Sequence, residues 1–425
     1  VLPDGAPLDA AADALAGLLE LDDTVDQIDL VVGAEKVGTT SRSYARVVLE
    51  MRHTRSSGDE VRAGWPGEST RYSLLEFACD GETVLDPAAH YYVPGVPLPK
   101  AELIAEVRRL RLRSVSAVFA ALAGGREDTA SKTGLASLLK TVWGADYEDE
   151  RDARFINDRV HANIQNDGTF SVIPRIRGGV TSPDELRRIA AVADTYRVPM
   201  VKITGSQRID LLGIKKADLP QVWADLGMPS GQAYTKGVRM VKTCVGTEFC
   251  RFGTQDSTGA GIEMERRFEQ LFTPHKVKMA AVGCPRNCAE ATVKDIGLVG
   301  VDGGWQVVVG GAAGKGVRKA DLLATVQTTA EALTASELFF QYYRENANYL
   351  ERTYDFVERL GIEKVRKETV YAPEAVREGL LARLHRSKAR ARDAWLEGAA
   401  PKTPAQFIPL TPIDDVGGGR QASSV

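Results

Sequence analysis

The sequence predicts an α+β fold: layered α/β sheets with helices packed on them, a helical C-terminal region and a small N-terminal module. Two patterns predict it. Between residues 169 and 283, short runs rich in Val, Ile and Met alternate with amphipathic stretches of helical period, as layered sheets and helices require. After residue 320 that alternation gives way to a long stretch with Phe, Tyr and Leu at three- and four-residue steps, an aromatic stripe that reads as helix core.

Taken in order, residues 1–95 form an N-terminal module, partly β. A helical pattern at 8–21 precedes alternating runs at 45–53 and 69–79, the mark of a half-buried sheet. Cys79 lies in the second run without a His or Cys at ligand spacing, so it reads as a buried core thiol. Three prolines and a glycine at 91–100 break both helix and strand and mark a linker. Residues 96–150 then carry two helical patterns, at 101–125 and 131–144. Within 151–230, a strand at 169–176 leads to a helix that opens on Ser182, Pro183 and Glu185, an N-cap, a first-turn proline and a capping box. A strand at 198–204 and a helix at 216–227 follow. Residues 231–375 begin with strand 238–244, helix 261–272 and strand 276–283, and pass through a glycine-rich segment at 296–316 into a helical region at 320–361. Residues 376–425 are helical, with a basic solvated face at 381–392, and then lose apolar periodicity from Pro401, which predicts a disordered tail.

Composition narrows the function. A formal net charge of −3 gives no reason to expect a nucleic-acid partner. No apolar run has membrane-spanning length, and no leader-like pattern opens the chain, so a cytoplasmic protein is expected. The glycine-rich segment is neither a P-loop, since Gly314-Lys315 is followed by Gly316, nor a dinucleotide fingerprint. It suits close approach of backbone to a large flat group at Gly310 and Gly311, or a hairpin corner.

Four of the five cysteines cluster as Cys244 and Cys250, then Cys284 and Cys288, in the spacing C-x5-C and C-x3-C. Close thiol pairs are ligands for zinc or iron–sulfur clusters, or disulfide partners. The five-residue gap suits poorly the tight loops of structural zinc, and an odd cysteine count argues against a disulfide set. Iron–sulfur ligation is the leading reading, with zinc and plain buried thiols left open.

The same spacing, with Pro285 after the third cysteine and Asn287 before the fourth, resembles the cluster signature of the sirohaem-dependent sulfite and nitrite reductases. The segments 161–179, 202–213 and 241–257 are similar, more narrowly, to the large subunits of assimilatory NAD(P)H-dependent nitrite reductases; the likeness covers about residues 135–375. It implies layered sheets of the sirohaem nitrite/sulfite reductase type, with 151–230 as a ferredoxin-like half-domain and 231–375 as the sirohaem and cluster domain. It implies that Cys244, Cys250, Cys284 and Cys288 hold a [4Fe–4S] cluster and that Cys288 also bridges to sirohaem iron. The comparable family module before the sirohaem half carries [2Fe–2S] cysteines, which residues 96–150 lack.

Lys276 and Lys278 fall on one face of a strand by alternation. The resemblance makes them contacts of a bound anion, where edge-strand guards are the plain alternative. It also assigns an anion contact to Arg239, whereas Ser206 stands where the family has a second arginine and Arg208 lies two residues on. Arg175 and Arg177 are candidates for the carboxylates of sirohaem, or for simple ion pairs. The implied chemistry is multi-electron reduction of nitrite to ammonia, with these cations offsetting charge and delivering protons. Alternatives are sulfite reduction with the same cofactors, or a non-catalytic [4Fe–4S] electron-transfer protein. One copy of a repeat that the sulfite reductases hold twice implies a homodimer, beside a small Rieske-like subunit and a flavin electron donor. If the chain begins mid-protein, a domain binding FAD and NAD(P)H is expected before Val1.

Overall fold

The computed structural model describes residues 25–35, 44–53, 69–78 and 91–391, apart from 151, 152, 154, 155, 235 and 315. The helix expected at 8–21, Cys79 and the tail from Pro401 lie outside these residues. The chain divides into two units, Val1–Asp86 and Pro87–Val425. In the first, strands β1 (Val25–Glu35), β2 (Tyr44–His53) and β3 (Ser69–Ala78) form an antiparallel sheet in that order. The two alternating runs of the sequence are β2 and β3.

The second unit opens with α1 (Lys100–Arg109), α2 (Val115–Leu122) and α3 (Thr129–Trp143), which share a core of Leu103, Val107, Val118, Phe119, Leu135 and Leu139. The single pattern at 101–125 is thus two helices. Arg111 takes a left-handed φ of 53°, and Ser114 caps α2 by accepting from Ala117 N at 3.2 Å.

Next come α4 (Ile156–Val160) and a four-stranded antiparallel sheet in the order β4-β5-β7-β6, built from Asn163–Ile164, Phe170–Val172, Ile209–Ile214 and Met200–Ile203. Helices α5 (Pro183–Thr195) and α6 (Leu219–Leu226) bury Ile189, Val192, Val222 and Trp223 in one core with Val172 and Leu211 of the sheet. The capping box of Ser182 and Glu185 is present. The strand expected at 169–176 stops at Val172, because Pro174 has no N–H to continue a ladder and makes only an isolated bridge to Ser230.

A five-stranded sheet carries the cysteines. It is assembled from β8 (Val238–Thr243), β9 (Val277–Val282), β10 (Ile296–Val301), β11 (Gly304–Val309) and β14 (Asp321–Val326), in the order β14-β11-β10-β9-β8. Strands β8, β9 and β10 run parallel, while β11 and β14 are antiparallel to their neighbours. Between β8 and β9 lie α7 (Gly246–Phe249) and α8 (Ser257–Phe268), and β12 (Ala312–Ala313) pairs with β13 (Val317–Arg318) before β14. Alternation splits β9: Val277, Met279 and Ala281 face a large core shared with α8 and with α9 (Thr329–Asn346), whereas Ala280 and Val282 face a thinner layer of Ala289, Ala291, Val299 and Val308.

The helical region expected from residue 320 begins as strand β14, and helix starts only at the capping box of Thr328 and Glu331. Phe268, Phe339, Phe340, Tyr343 and Phe356 are buried together in the large core, with Phe268 and Phe340 rings 4.5 Å apart. Each such burial contributes roughly 1.5–3 kcal/mol. Helices α10 (Thr353–Leu360), α11 (Ile362–Glu368) and α12 (Glu374–Arg390) complete the unit. Among the described residues no helix is long and apolar enough to cross a membrane.

Candidate functional site

The cysteines gather at the edge where β8 and β9 end. Cys244 follows β8 directly and donates its N–H to Ala281 O at 3.2 Å, and Cys284 stands two residues beyond β9. Cys250 closes α7, its N–H bonded to Gly246 O at 3.0 Å. The loops are locked together: Thr254 N and Gln255 N both donate to Gly283 O, at 2.8 and 3.1 Å. A side chain at Gly246, which has a φ of 57°, would strike Ser257 N at 2.7 Å, and one at Gly283 would strike Gln255 O at 2.7 Å, so these contacts require glycine. Cys284 is buried and Cys288 exposed. Asn287, left-handed at φ 57°, braces the last loop by donating from Nδ2 to Thr292 Oγ1 at 2.6 Å.

A lone zinc ion would draw its thiolates into one shell of about 2.3 Å radius. Among the described residues no three His, Cys, Asp or Glu side chains converge in that way. A four-iron cluster instead gives each thiolate its own iron corner, and the four thiols stand free on the loops at one end of the sheet. Cys244 Sγ already accepts from Gly283 N at 3.2 Å and lies 3.1 Å from Ser257 Oγ, the kind of sulfur hydrogen bond that tunes a cluster.

Around Cys250 and Cys288 the surface is apolar and basic. Val245, Phe249 and Phe252 are exposed, Phe249 to 78%, and the guanidinium carbons of Arg286 and Arg251 stand 4.0 and 4.5 Å from the centre of the Phe252 ring. Such a surface suits a large flat ring edged with carboxylates. Arg251 and Arg286 are not among the residues that the sequence analysis singles out, although each stands within two residues of a cluster cysteine, in the runs Phe249-Cys250-Arg251-Phe252 and Cys284-Pro285-Arg286-Asn287-Cys288.

A second cluster occupies the opposite edge, where the parallel strands begin. Lys276 and Lys278 have no hydrogen bond or ion pair from their ammonium groups to any described residue. Burial, with Arg352 and Arg239 nearby, lowers the Lys276 pKa; burial, with Lys276 and Arg352, lowers that of Lys278. Strand β9 is interior to its sheet, which removes the edge-guard reading of the two lysines. Arg239 is buried, and its Nη1 donates to the carbonyls of Gln232, Tyr234 and Gly237 at 2.7, 2.6 and 3.1 Å. Burial first, then Arg208, brings its pKa down to about 10.

His275, Asp295 and Arg352 join this edge and were not read from the sequence. Asp295 accepts from Lys278 N at 2.8 Å and from Arg352 Nη2 at 2.9 Å. His275 accepts from Lys276 N at 2.8 Å, and burial amid Arg352, Lys236, Lys276 and Arg239 lowers its pKa to about 3. At about 3.3 Å per residue, Lys278 and Val282 are about 13 Å apart along β9. The lysines and the cysteines of one chain therefore lie toward opposite ends of β9.

Arg208 belongs to the hairpin between β6 and β7, whose Gln207 side chain donates to Thr243 O at 2.7 Å and accepts from Thr243 N at 2.9 Å. Its Nε, the Thr204 hydroxyl and Asp210 Oδ1 are buried without a hydrogen-bond partner among the described residues, and Asp210 and Glu265 are the carboxylates that attract Arg208.

Arg175 and Arg177 lie past the end of β5 rather than on a strand face. Arg175 is buried in an ion pair with Glu265 at 2.7 Å, and Arg177 pairs with Glu269 at 3.0 Å. Both guanidinium groups thus meet the protein's own carboxylates. Gly310 and Gly311 follow the β10–β11 hairpin, and the close approach they permit is to the chain itself: a side chain at Gly311 would strike Lys294 O at 2.6 Å, and one at Gly310 would press on Val357 at 3.0 Å.

An α+β scaffold presenting four free thiols on the loops at one sheet edge is that of an iron–sulfur protein. Residues 234–375 match the nitrite and sulphite reductase 4Fe-4S domain, and residues 163–228 match the nitrite/sulfite reductase ferredoxin-like half domain. An assimilatory-type sulfite reductase of Nitratidesulfovibrio vulgaris is 39% identical over 199 residues, 47% of this chain and 91% of that protein. A nitrite reductase [NAD(P)H] of Bacillus subtilis is 49% identical over 300 residues, 70% of this chain and 37% of that protein. The nitrite reductase (NADH) large subunit of Escherichia coli is 39% identical over 273 residues, 62% of this chain and 32% of that protein. The chain thus spans about a third of the length of these two nitrite reductases. It belongs to the nitrite and sulphite reductase family, whose cofactors are a [4Fe–4S] cluster and sirohaem.

Proposed function

We propose that this chain is the sirohaem and [4Fe–4S] part of a nitrite reductase, which reduces nitrite to ammonia. The observation that carries it is the pairing, on one sheet, of a four-thiol edge with an edge whose lysines form no ion pair with described residues and have Asp295, itself paired with Arg352, as their attracting carboxylate. In this reading Cys244, Cys250, Cys284 and Cys288 hold the cluster, Cys288 is shared with sirohaem, and residues 163–228 are the half-domain beside it. When bound, the two cofactors supply electrons one at a time and an open iron position for the anion.

The protein's own groups then act on charge and protons. The ammonium groups of Lys276 and Lys278 offset the anion's charge, and their lowered pKa values ease release of a proton to oxygen that leaves as water. Arg239 holds the carbonyls of Gln232, Tyr234 and Gly237 that border them, and Arg208 adds a further positive charge. Arg251 and Arg286 face the carboxylates of the ring, a task for which the ion-paired Arg175 and Arg177 are less available. Gly310 and Gly311 remain part of this cofactor proposal only as the turn that positions neighbouring backbone.

Two features support a homodimer. The thiol and lysine edges lie at opposite ends of β9, so a second copy is needed to set one against the other. Edge strand β6 also leaves Met200, Val201 and Ile203 exposed, Ile203 to 81%, where a partner would cover them. A small Rieske-like subunit and a flavin donor using NAD(P)H complete the proposal, supported by relatives named large subunits, and the cytoplasm is its proposed location. Sulfite reduction is the second reading, favoured by the sulfite reductase that the chain covers almost fully. Turnover of nitrite against sulfite by the cofactor-loaded protein decides between them. Cys288→Ala should remove the absorption of both cofactors, and full retention of sirohaem would overturn the shared-ligand assignment.

A further inference from the structure

A cavity of about 460 Å³ lies between α1, α3, α9 and α12, and it shares no residue with the thiol or lysine edges. We propose that it binds an organic anion carrying at least two negative charges on an apolar body, a phosphate monoester or a polycarboxylate.

Its lining divides by chemistry. Ile104, Leu138 and Val142 form an apolar wall, while Arg108, Arg344, Arg383 and Arg386 supply four guanidinium groups against the single carboxylate of Glu345. That carboxylate is already taken: Arg383 grips it through Nε at 2.6 Å and Nη2 at 3.0 Å, and Gln341 Nε2 donates to it at 2.6 Å. Three positive charges are left over. Arg108 and Arg386 are exposed and form no side-chain hydrogen bond or ion pair with described residues.

Arg344 is only 3% exposed and forms no ion pair with the described residues. Its Nε donates to Phe272 O and its Nη1 to Gln341 Oε1, both at 2.8 Å, and Nη2 has no hydrogen-bond partner among the described residues. Burial lowers its pKa to about 10. A buried cation whose attracting carboxylate, Glu345, is also gripped by Arg383 is costly, and an anion in the cavity would relieve that cost with charge-assisted, forked contacts. The volume suits a compact metabolite and far exceeds nitrite, so this is a site for something other than the substrate.

The test is calorimetric titration of the full chain with citrate, adenosine 5′-monophosphate and acetate at constant ionic strength. Citrate or the nucleotide should bind and acetate should not; the tighter of the two identifies a polycarboxylate or a phosphate ester. The double variant Arg108→Ala/Arg386→Ala changes exposed side chains only, and it should weaken binding by about tenfold or more. Ile104→Ala should weaken the nucleotide while leaving the fold unchanged by circular dichroism. Absence of binding by both polyanions, or equal affinity in the double variant, would overturn the proposal.

Discussion

Lys278 gives its backbone N–H to Asp295 while its ammonium group is left without a partner among the described residues. In the proposed function that ammonium group meets the anion. Replacing Lys276 or Lys278 by Gln should therefore lower nitrite turnover by about two orders of magnitude or more, with cofactor absorption intact; an unchanged rate would return both to the surface. In the proposed function the ammonium form holds the anion, so activity should decline as pH rises through their lowered pKa values, which a pH–rate profile reads directly. His275 acts on stability instead. Its folded pKa of about 3 lies below the ordinary 6.5, so the unfolded chain takes up the proton first as pH falls from 6.5 toward 3, and stability is lost across that window. His275→Gln should flatten that acid loss in urea melts.

At the scale of elements, Glu265 of α8 ties three pieces together. Its Oε1 meets Arg175, and its Oε2 accepts from Gly178 N at 3.1 Å and Val241 N at 2.9 Å. Glu265→Ala would leave buried Arg175 with Glu269 at 3.6 Å as its remaining carboxylate and the N–H groups of Gly178 and Val241 without their acceptor, and should cost about 3–5 kcal/mol in denaturant unfolding. Local signals of this kind decided what the sequence could show. The capping box at Ser182 and the cysteine spacing are written within a few residues, and both the helix and the thiol edge follow from them. Strand β14 was read as helix because Leu and Ala suit a helix equally well, and only pairing with β11 decides the matter. Arg352 reaches Asp295 from 57 residues away, and nothing local announces that contact. Arg175, by contrast, was legible as a cation but not as one already spent on Glu265.

At the scale of the whole molecule, a homodimer should appear in sedimentation of the cofactor-loaded protein. Ile203→Lys on exposed β6 should shift it toward monomer, and a fully active monomer would refute the need for a second copy. The arrangement of β9 carries a consequence for change in the chain. Since lysines sit near one end and a cysteine just past the other, the strand is a ruler graduated in steps of about 3.3 Å. Each step also turns the side chains over. Losing one residue from its middle would shorten the span and send Lys276 and Lys278 into the aromatic core, whereas losing two keeps the faces and changes only the reach. A change of reach between the lysines and the thiol edge that keeps both faces therefore comes in even increments.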